Sequence, residues 1–161
     1  MMTNYDTTAK AELLYYQGNV NARSGLFEDA LSLYEQAIAL DGNNPMYYNN
    51  RSAALKRLGR FQDAIKQYEE IVQKFPDYGK AFLSIASTSI ETGDYQGAVS
   101  SYRRFFEAYK KGDFTFNPIV GGINQSVYGD DLLETALITS INYLSEEQKR
   151  LAMQAFVEAQ P

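Results

Sequence analysis

The sequence contains no cysteine, no histidine and no tryptophan among its 161 residues. Without cysteine, neither a disulfide framework nor a thiolate metal site can form. The absence of histidine removes the usual general base and the commonest metal ligand. An enzyme would therefore need a site built from carboxylates, and the acidic residues are scattered along exposed faces of the predicted helices. We expect a non-enzymatic protein that uses neither a metal nor a cofactor.

Long apolar runs and an excess of positive charge are also lacking. No stretch approaches the roughly 18 consecutive apolar residues of a membrane span. Residues 1–20 lack the charged start and unbroken apolar run of a signal peptide. The net charge of −5 argues against nonspecific nucleic-acid binding. These features predict a soluble cytoplasmic protein without nucleic-acid binding or membrane insertion.

The chain does contain an internal repeat. Gly25, Gly59 and Gly93 recur at an interval of 34 residues, and three further positions follow the same interval. Those positions hold an aromatic residue (Phe27, Phe61, Tyr95), an alanine (Ala30, Ala64, Ala98) and a tyrosine (Tyr34, Tyr68, Tyr102). A repeat of this length is a helix–turn–helix unit that cannot bury its own apolar face and must stack on copies of itself. The pattern therefore predicts an all-α fold.

We divide the chain at the boundaries of this repeat. The predicted parts are an N-terminal extension (1–10), three helix pairs (11–44, 45–78 and 79–112), an ordered loop (113–128) and a C-terminal helical cap (129–161). In the second pair, Pro45 suits a first helical turn and Gly59 suits the left-handed residue that ends a helix. Gly18 lies inside a predicted helix, where glycine costs about 1 kcal/mol relative to alanine. We expect close contact between paired helices at that point.

The C-terminal part reads as two further helices. The first begins near Asp130 and Asp131, since acidic residues favour a helix N-terminus. The second begins after Ser145, which forms a capping-box signature with Gln148. Stacked repeats leave an open apolar end, so we interpret this pair as a terminal cap. The alternative is a separate partner-binding helix.

The repeated Gly-x-aromatic-x-x-Ala-x-x-x-Tyr core resembles the tetratricopeptide repeat family over about residues 11–109. The resemblance implies a right-handed α-α superhelix of three helix pairs. In this family the first helices of the pairs line a concave peptide-binding face.

A closer resemblance is to co-chaperones that grip the C-terminal tail of the heat-shock 70 and heat-shock 90 chaperones. It is carried by three segments, residues 17–19 (QGN), 50–54 (NRSAA) and 75–80 (FPDYGK). These co-chaperones hold two carboxylates with five polar side chains, which together are called a carboxylate clamp. Asn19, Asn50 and Lys80 match three of those positions. Tyr15 and Ser84 stand where a lysine and an arginine are usual. Losing two cations predicts roughly hundredfold to ten-thousandfold weaker binding of a chaperone tail.

Helical spacing identifies one face of each first helix as the concave face. The candidate peptide-binding residues are Tyr15, Tyr16, Asn19, Arg23, Asn49, Asn50, Lys56, Arg57, Lys80 and Ser84. The whole concave face carries these four cations and two anions, Glu12 and Glu91, so it is positive on an acidic chain and favours an acidic peptide. Each residue also has a plainer interpretation. The adjacent tyrosines can pack between helices, the asparagines can be solvated, and each cation can serve solubility alone.

Two functions follow from these observations. The first is an adaptor that binds an acidic or C-terminal peptide segment in its concave groove, in the manner of a co-chaperone. The second is an obligate assembly subunit that docks through its C-terminal helices. The sequence leaves the oligomeric state open.

Overall fold

The computed structural model describes residues 3–110 and 145–159 of the chain. Within these ranges the chain forms seven helices and no strand, which confirms the predicted all-α fold. The helices are α1 (Asn4–Arg23), α2 (Phe27–Leu40), α3 (Pro45–Arg57), α4 (Phe61–Lys74), α5 (Lys80–Glu91), α6 (Tyr95–Lys110) and α7 (Glu146–Ala159). The predicted loop 113–128 and the helix expected after Asp130 lie outside the described residues.

The described helices belong to two compact units, Met1–Ile71 and Val72–Pro161. The boundary falls inside α4 and coincides with none of the repeat boundaries inferred from the sequence, so that division stays a prediction. Helix α1 begins at Asn4, inside the segment assigned to an N-terminal extension. The reason is a reciprocal capping box, in which Thr3 and Asp6 each bond the other's backbone N–H.

Each of the three helix pairs, α1–α2, α3–α4 and α5–α6, turns at the repeated glycine. Gly25, Gly59 and Gly93 have φ of 79°, 77° and 77°, a left-handed conformation that glycine adopts without a Cβ penalty. The residue after each glycine donates its backbone N–H to a carbonyl five positions earlier, at 2.9, 2.9 and 2.8 Å. The equal interval in the sequence therefore corresponds to one repeated helix ending.

In the first unit, α2 contacts both α1 and α3. Tyr34 of α2 is 2% exposed and its ring lies directly over Gly18 of α1. A Cβ atom built on Gly18 would come within 2.6 Å of the Tyr34 ring. This confirms the close helix contact that was expected at Gly18, and it explains why a glycine occupies a helix interior.

The second unit has its own apolar core. Its buried side chains are Phe82, Ala86, Ile90, Ala98, Tyr102 and Phe105. Helix α7 contacts α6, and its Met153 packs against this core. Burial raises the pKa of Tyr102 to about 12. The contact between α6 and α7 fits the interpretation of α7 as part of a terminal cap.

Candidate functional site

Four polar side chains of the first unit meet where α1, α2 and α3 come together. They are Tyr15 and Asn19 of α1, Tyr34 of α2 and Asn50 of α3, and we call them the amide cluster. The Asn50 amide Nδ2 donates to Asn19 Oδ1 at 2.8 Å and to the Tyr15 hydroxyl at 3.2 Å. The Tyr34 hydroxyl also donates to Asn19 Oδ1, at 2.8 Å. The cluster thus joins three helices of two successive repeats.

The two asparagines of the amide cluster have different roles in this network. Both hydrogens of Asn50 Nδ2 are used inside the protein. Asn19 Oδ1 accepts two hydrogen bonds, whereas no described residue accepts from Asn19 Nδ2. Asn19 is half-buried and retains two amide donors for a ligand. Asn50 Nδ2 therefore has no hydrogen left for a ligand.

The Tyr34 hydroxyl remains a proton donor at neutral pH. Burial raises the pKa of Tyr34 above its usual value, and the Asn50 amide and the charge of Arg23 act in the opposite direction. Arg23 lies four residues after Asn19 in α1, so the two residues share one face of the helix. Arg23 is exposed in the last turn of α1.

The adjacent tyrosines of α1 occupy different environments. Tyr15 is 7% exposed, and its ring centroid lies 5.0 Å from that of Tyr47 and 6.0 Å from that of Tyr34. Tyr16 is 60% exposed. Neighbouring residues of a helix point about 100° apart, so only one of the two can enter the core. Tyr15 therefore supports the cluster from inside, and Tyr16 alone is open to a ligand.

Asn49 was placed on the concave face by its spacing, but it is only 4% exposed. Its Nδ2 donates to Asn50 Oδ1 at 3.4 Å. Its buried Oδ1 has no hydrogen-bond partner among the residues that the structure describes. Asn49 is thus a buried neighbour of Asn50 and presents almost no surface to a peptide.

The remaining cationic candidates of the first unit are in the last turn of α3. The Arg57 guanidinium lies 4.9 Å from the centroid of the Phe27 ring, a cation–π contact that joins α3 to α2. Lys56 is half-buried, and Arg57 is exposed. Cations in a last turn also favour the negative end of the helix dipole. Both residues therefore have a structural role besides the proposed binding role.

The other two candidates belong to the second unit. Lys80 is exposed at the first residue of α5, and Ser84 is half-buried one turn later. Among residues 3–110 and 145–159, no group of three or more acidic side chains is placed to hold a metal ion. No helix within the same ranges is long and apolar enough to cross a membrane.

Helix pairs that recur at an interval of 34 residues, with one turn geometry and one register of small residues, define a helical-repeat protein. Family models described as tetratricopeptide repeat match residues 11–44, 33–66 and 50–113. The chain belongs to the tetratricopeptide repeat family.

Two relatives share the repeats in sequence. Small glutamine-rich tetratricopeptide repeat-containing protein 2 of Mycosarcoma maydis is 33% identical over 99 residues, which cover 62% of this chain and 28% of the relative. The heat-shock protein cognate co-chaperone sgt12 of Aspergillus fumigatus is 30% identical over 105 residues, which cover 65% of this chain and 31% of the relative. The chain thus spans less than a third of the length of either relative.

A solved structure shares the fold. It is the first tetratricopeptide domain of Spaghetti (RPAP3), bound to the HSP90 peptide SRMEEVD. The TM-score is 0.61 at 20% identity, with 93% of this chain and 95% of that chain covered. At this identity the likeness supports the fold alone.

Proposed function

We propose that this chain is a non-enzymatic adaptor that binds an acidic peptide with a free C-terminal carboxylate. The observation that carries the proposal is the amide cluster, in which Asn19 keeps two unused amide donors one helical turn before Arg23 on the same face of α1. Donors of this kind recognise a carboxylate, and a nearby cation strengthens the hydrogen bonds. The cytoplasmic location expected from the sequence belongs to the same proposal.

The tail of a heat-shock chaperone is the partner that we propose. One relative is named a co-chaperone, and a structure with the same fold holds a peptide that ends in Glu-Glu-Val-Asp. The positions occupied by Tyr15 and Ser84 carry no cation here. We therefore expect binding at least about a hundredfold weaker than that of a clamp with all five polar residues, since each charged hydrogen bond contributes about 1.5–3 kcal/mol.

The test is the affinity of the whole chain for SRMEEVD, measured by fluorescence polarisation with a labelled peptide. Asn19→Ala removes the proposed donors and Arg23→Ala removes the nearby charge. We expect each change to weaken binding about tenfold, because an exposed groove screens part of each interaction. The unfolding temperature of Arg23→Ala should stay close to that of the wild type, because Arg23 is exposed.

Two control variants match these changes in residue type. Asn43→Ala alters an exposed asparagine between α2 and α3, and Arg60→Ala alters an exposed arginine paired with Asp63. Neither should change the affinity more than about twofold. Wild-type protein that fails to bind the peptide, or an affinity equally insensitive to all four changes, would refute the proposed function.

The alternative of an obligate assembly subunit is less well supported. Helix α7 already packs on α6 through Met153, so part of its surface is used within its own unit. The solution mass separates the two functions. An adaptor of this kind needs no second copy, whereas a dimer whose mass is independent of concentration would favour the assembly subunit.

A further inference from the structure

The amide cluster contains a feature that concerns selectivity. An asparagine side chain that can rotate by half a turn offers either a donor or an acceptor to a ligand. In the cluster, Asn19 Oδ1 accepts from both Asn50 Nδ2 and the Tyr34 hydroxyl, each at 2.8 Å. Turning the Asn19 amide over would bring its Nδ2 against the Nδ2 of Asn50, donor against donor.

We propose that Tyr34 and Asn50 are positioning residues that hold the Asn19 amide in one orientation. Asn19 can then present only donors, so this point of the surface favours a carboxylate, in which both oxygens accept, over a carboxamide, which presents an N–H group in place of one oxygen. The proposal rests on the proposed function, because it names the ligand group that the same site selects. It assigns the selectivity to two side chains that need not touch the ligand themselves.

The packing explains why Tyr34 is suited to this role. Its ring is held against Gly18, so the hydroxyl has little freedom to move away from Asn19. Tyr34 is 2% exposed, and its pKa is raised by burial, so the hydroxyl stays protonated and donates. A phenylalanine at this position would keep the ring and remove only the hydrogen bond.

The first experiment compares the peptide SRMEEVD with the same peptide carrying a C-terminal carboxamide, which differ in the terminal group that Asn19 would meet. The wild type should prefer the free carboxylate. Tyr34→Phe should lower this preference about 2- to 10-fold, the value of one lost neutral hydrogen bond. Tyr48→Phe is the matched control, because its hydroxyl donates to the Gly42 carbonyl at 3.0 Å within the same unit but away from Asn19. The control should leave the preference unchanged.

The second experiment needs no peptide. NMR relaxation of the Asn19 side-chain NH₂ group should show a rigid amide in the wild type and in Tyr48→Phe. The same group should be more mobile in Tyr34→Phe and in Asn50→Ala. An amide that is already mobile in the wild type, or equally rigid in all four proteins, would overturn the proposal.

The two experiments separate this proposal from the proposed function. Peptide binding with an unchanged carboxylate preference in Tyr34→Phe would refute the positioning role and leave the adaptor function intact. No binding by the wild type, together with a rigid Asn19 amide that loosens in Tyr34→Phe, would refute the function and support the positioning role.

Discussion

Replacing Gly18 by alanine tests the packing on which the amide cluster depends. An alanine gains about 1 kcal/mol in helix propensity over glycine. The added Cβ would lie 2.6 Å from Cε1 and 2.9 Å from Cδ1 of the Tyr34 ring, distances that demand a shift of one helix or of the ring. Tyr34 is buried, and overpacking of this kind costs about 1–3 kcal/mol. Since the contact involves a rigid ring, we expect the clash to cost about 2–3 kcal/mol, the upper part of this range, and the net loss of stability to be about 1–2 kcal/mol.

Urea unfolding followed by circular dichroism measures this loss as a lower midpoint. Heating should show a decrease of about 2–8 °C, at 2–4 °C per kcal/mol for a chain of this size. A double-mutant cycle with Tyr34→Leu identifies the cause, because a smaller side chain leaves room for the new methyl group. Gly18→Ala should cost less on the leucine background than on the wild type. A Gly18→Ala protein as stable as the wild type, or more stable, would refute the packing argument.

Two further predictions concern the second unit. The wild type should lose stability between pH 10 and pH 12, and Tyr102→Phe should lose less over the same range. The measurement is the urea midpoint of each protein as a function of pH. An unfolded tyrosine ionises near pH 10 and the folded Tyr102 only near pH 12, so the unfolded state loses its proton first and stability falls by up to about 1.4 kcal/mol per pH unit in that window. Equal slopes for the two proteins would contradict the role of burial. Ser84 stands where the resemblance to co-chaperones implies an arginine, so the proposed function predicts that Ser84→Arg raises the affinity for SRMEEVD about tenfold by adding one charge-assisted hydrogen bond. Gln62→Arg on α4 adds the same charge elsewhere and should have little effect, so an equal gain in both would indicate nonspecific attraction.

The helix boundaries were largely predictable from the sequence because local chemistry sets them. A glycine with positive φ ends a helix in the same way wherever it occurs, so Gly59 and Pro45 located the second pair almost to the residue. The early start of α1 also had a local signal, the Thr3-x-x-Asp6 capping box. The division of the chain by the 34-residue interval missed this signal, because the capping box lies before the first predicted repeat.

The roles within the candidate site were less predictable because they depend on which side chains meet. The sequence identified Tyr34 only as one of three tyrosines in the repeat, and nothing in its spacing shows that its hydroxyl reaches Asn19. Spacing also placed Asn49 beside Asn50 on one face, although the structure buries the first behind the second. A face assigned from helical periodicity is about 100° wide, so it cannot separate a residue at its centre from one at its buried edge.

Tyr15 stands where the resemblance to co-chaperones implies a lysine, and such a lysine cannot be introduced without changing the rest of the amide cluster. The ring of Tyr15 packs against Tyr34 and Tyr47, and its hydroxyl accepts one of the two hydrogen bonds of Asn50. A lysine has no acceptor. It would remove this hydrogen bond and the ring contacts together, while placing a charge where only 7% of the tyrosine is exposed. In the proposed function, the tyrosine that stands in place of a lysine therefore also helps to orient the amide donors that remain. Recovering full clamp chemistry here would require new partners for Asn50 as well as a new charge.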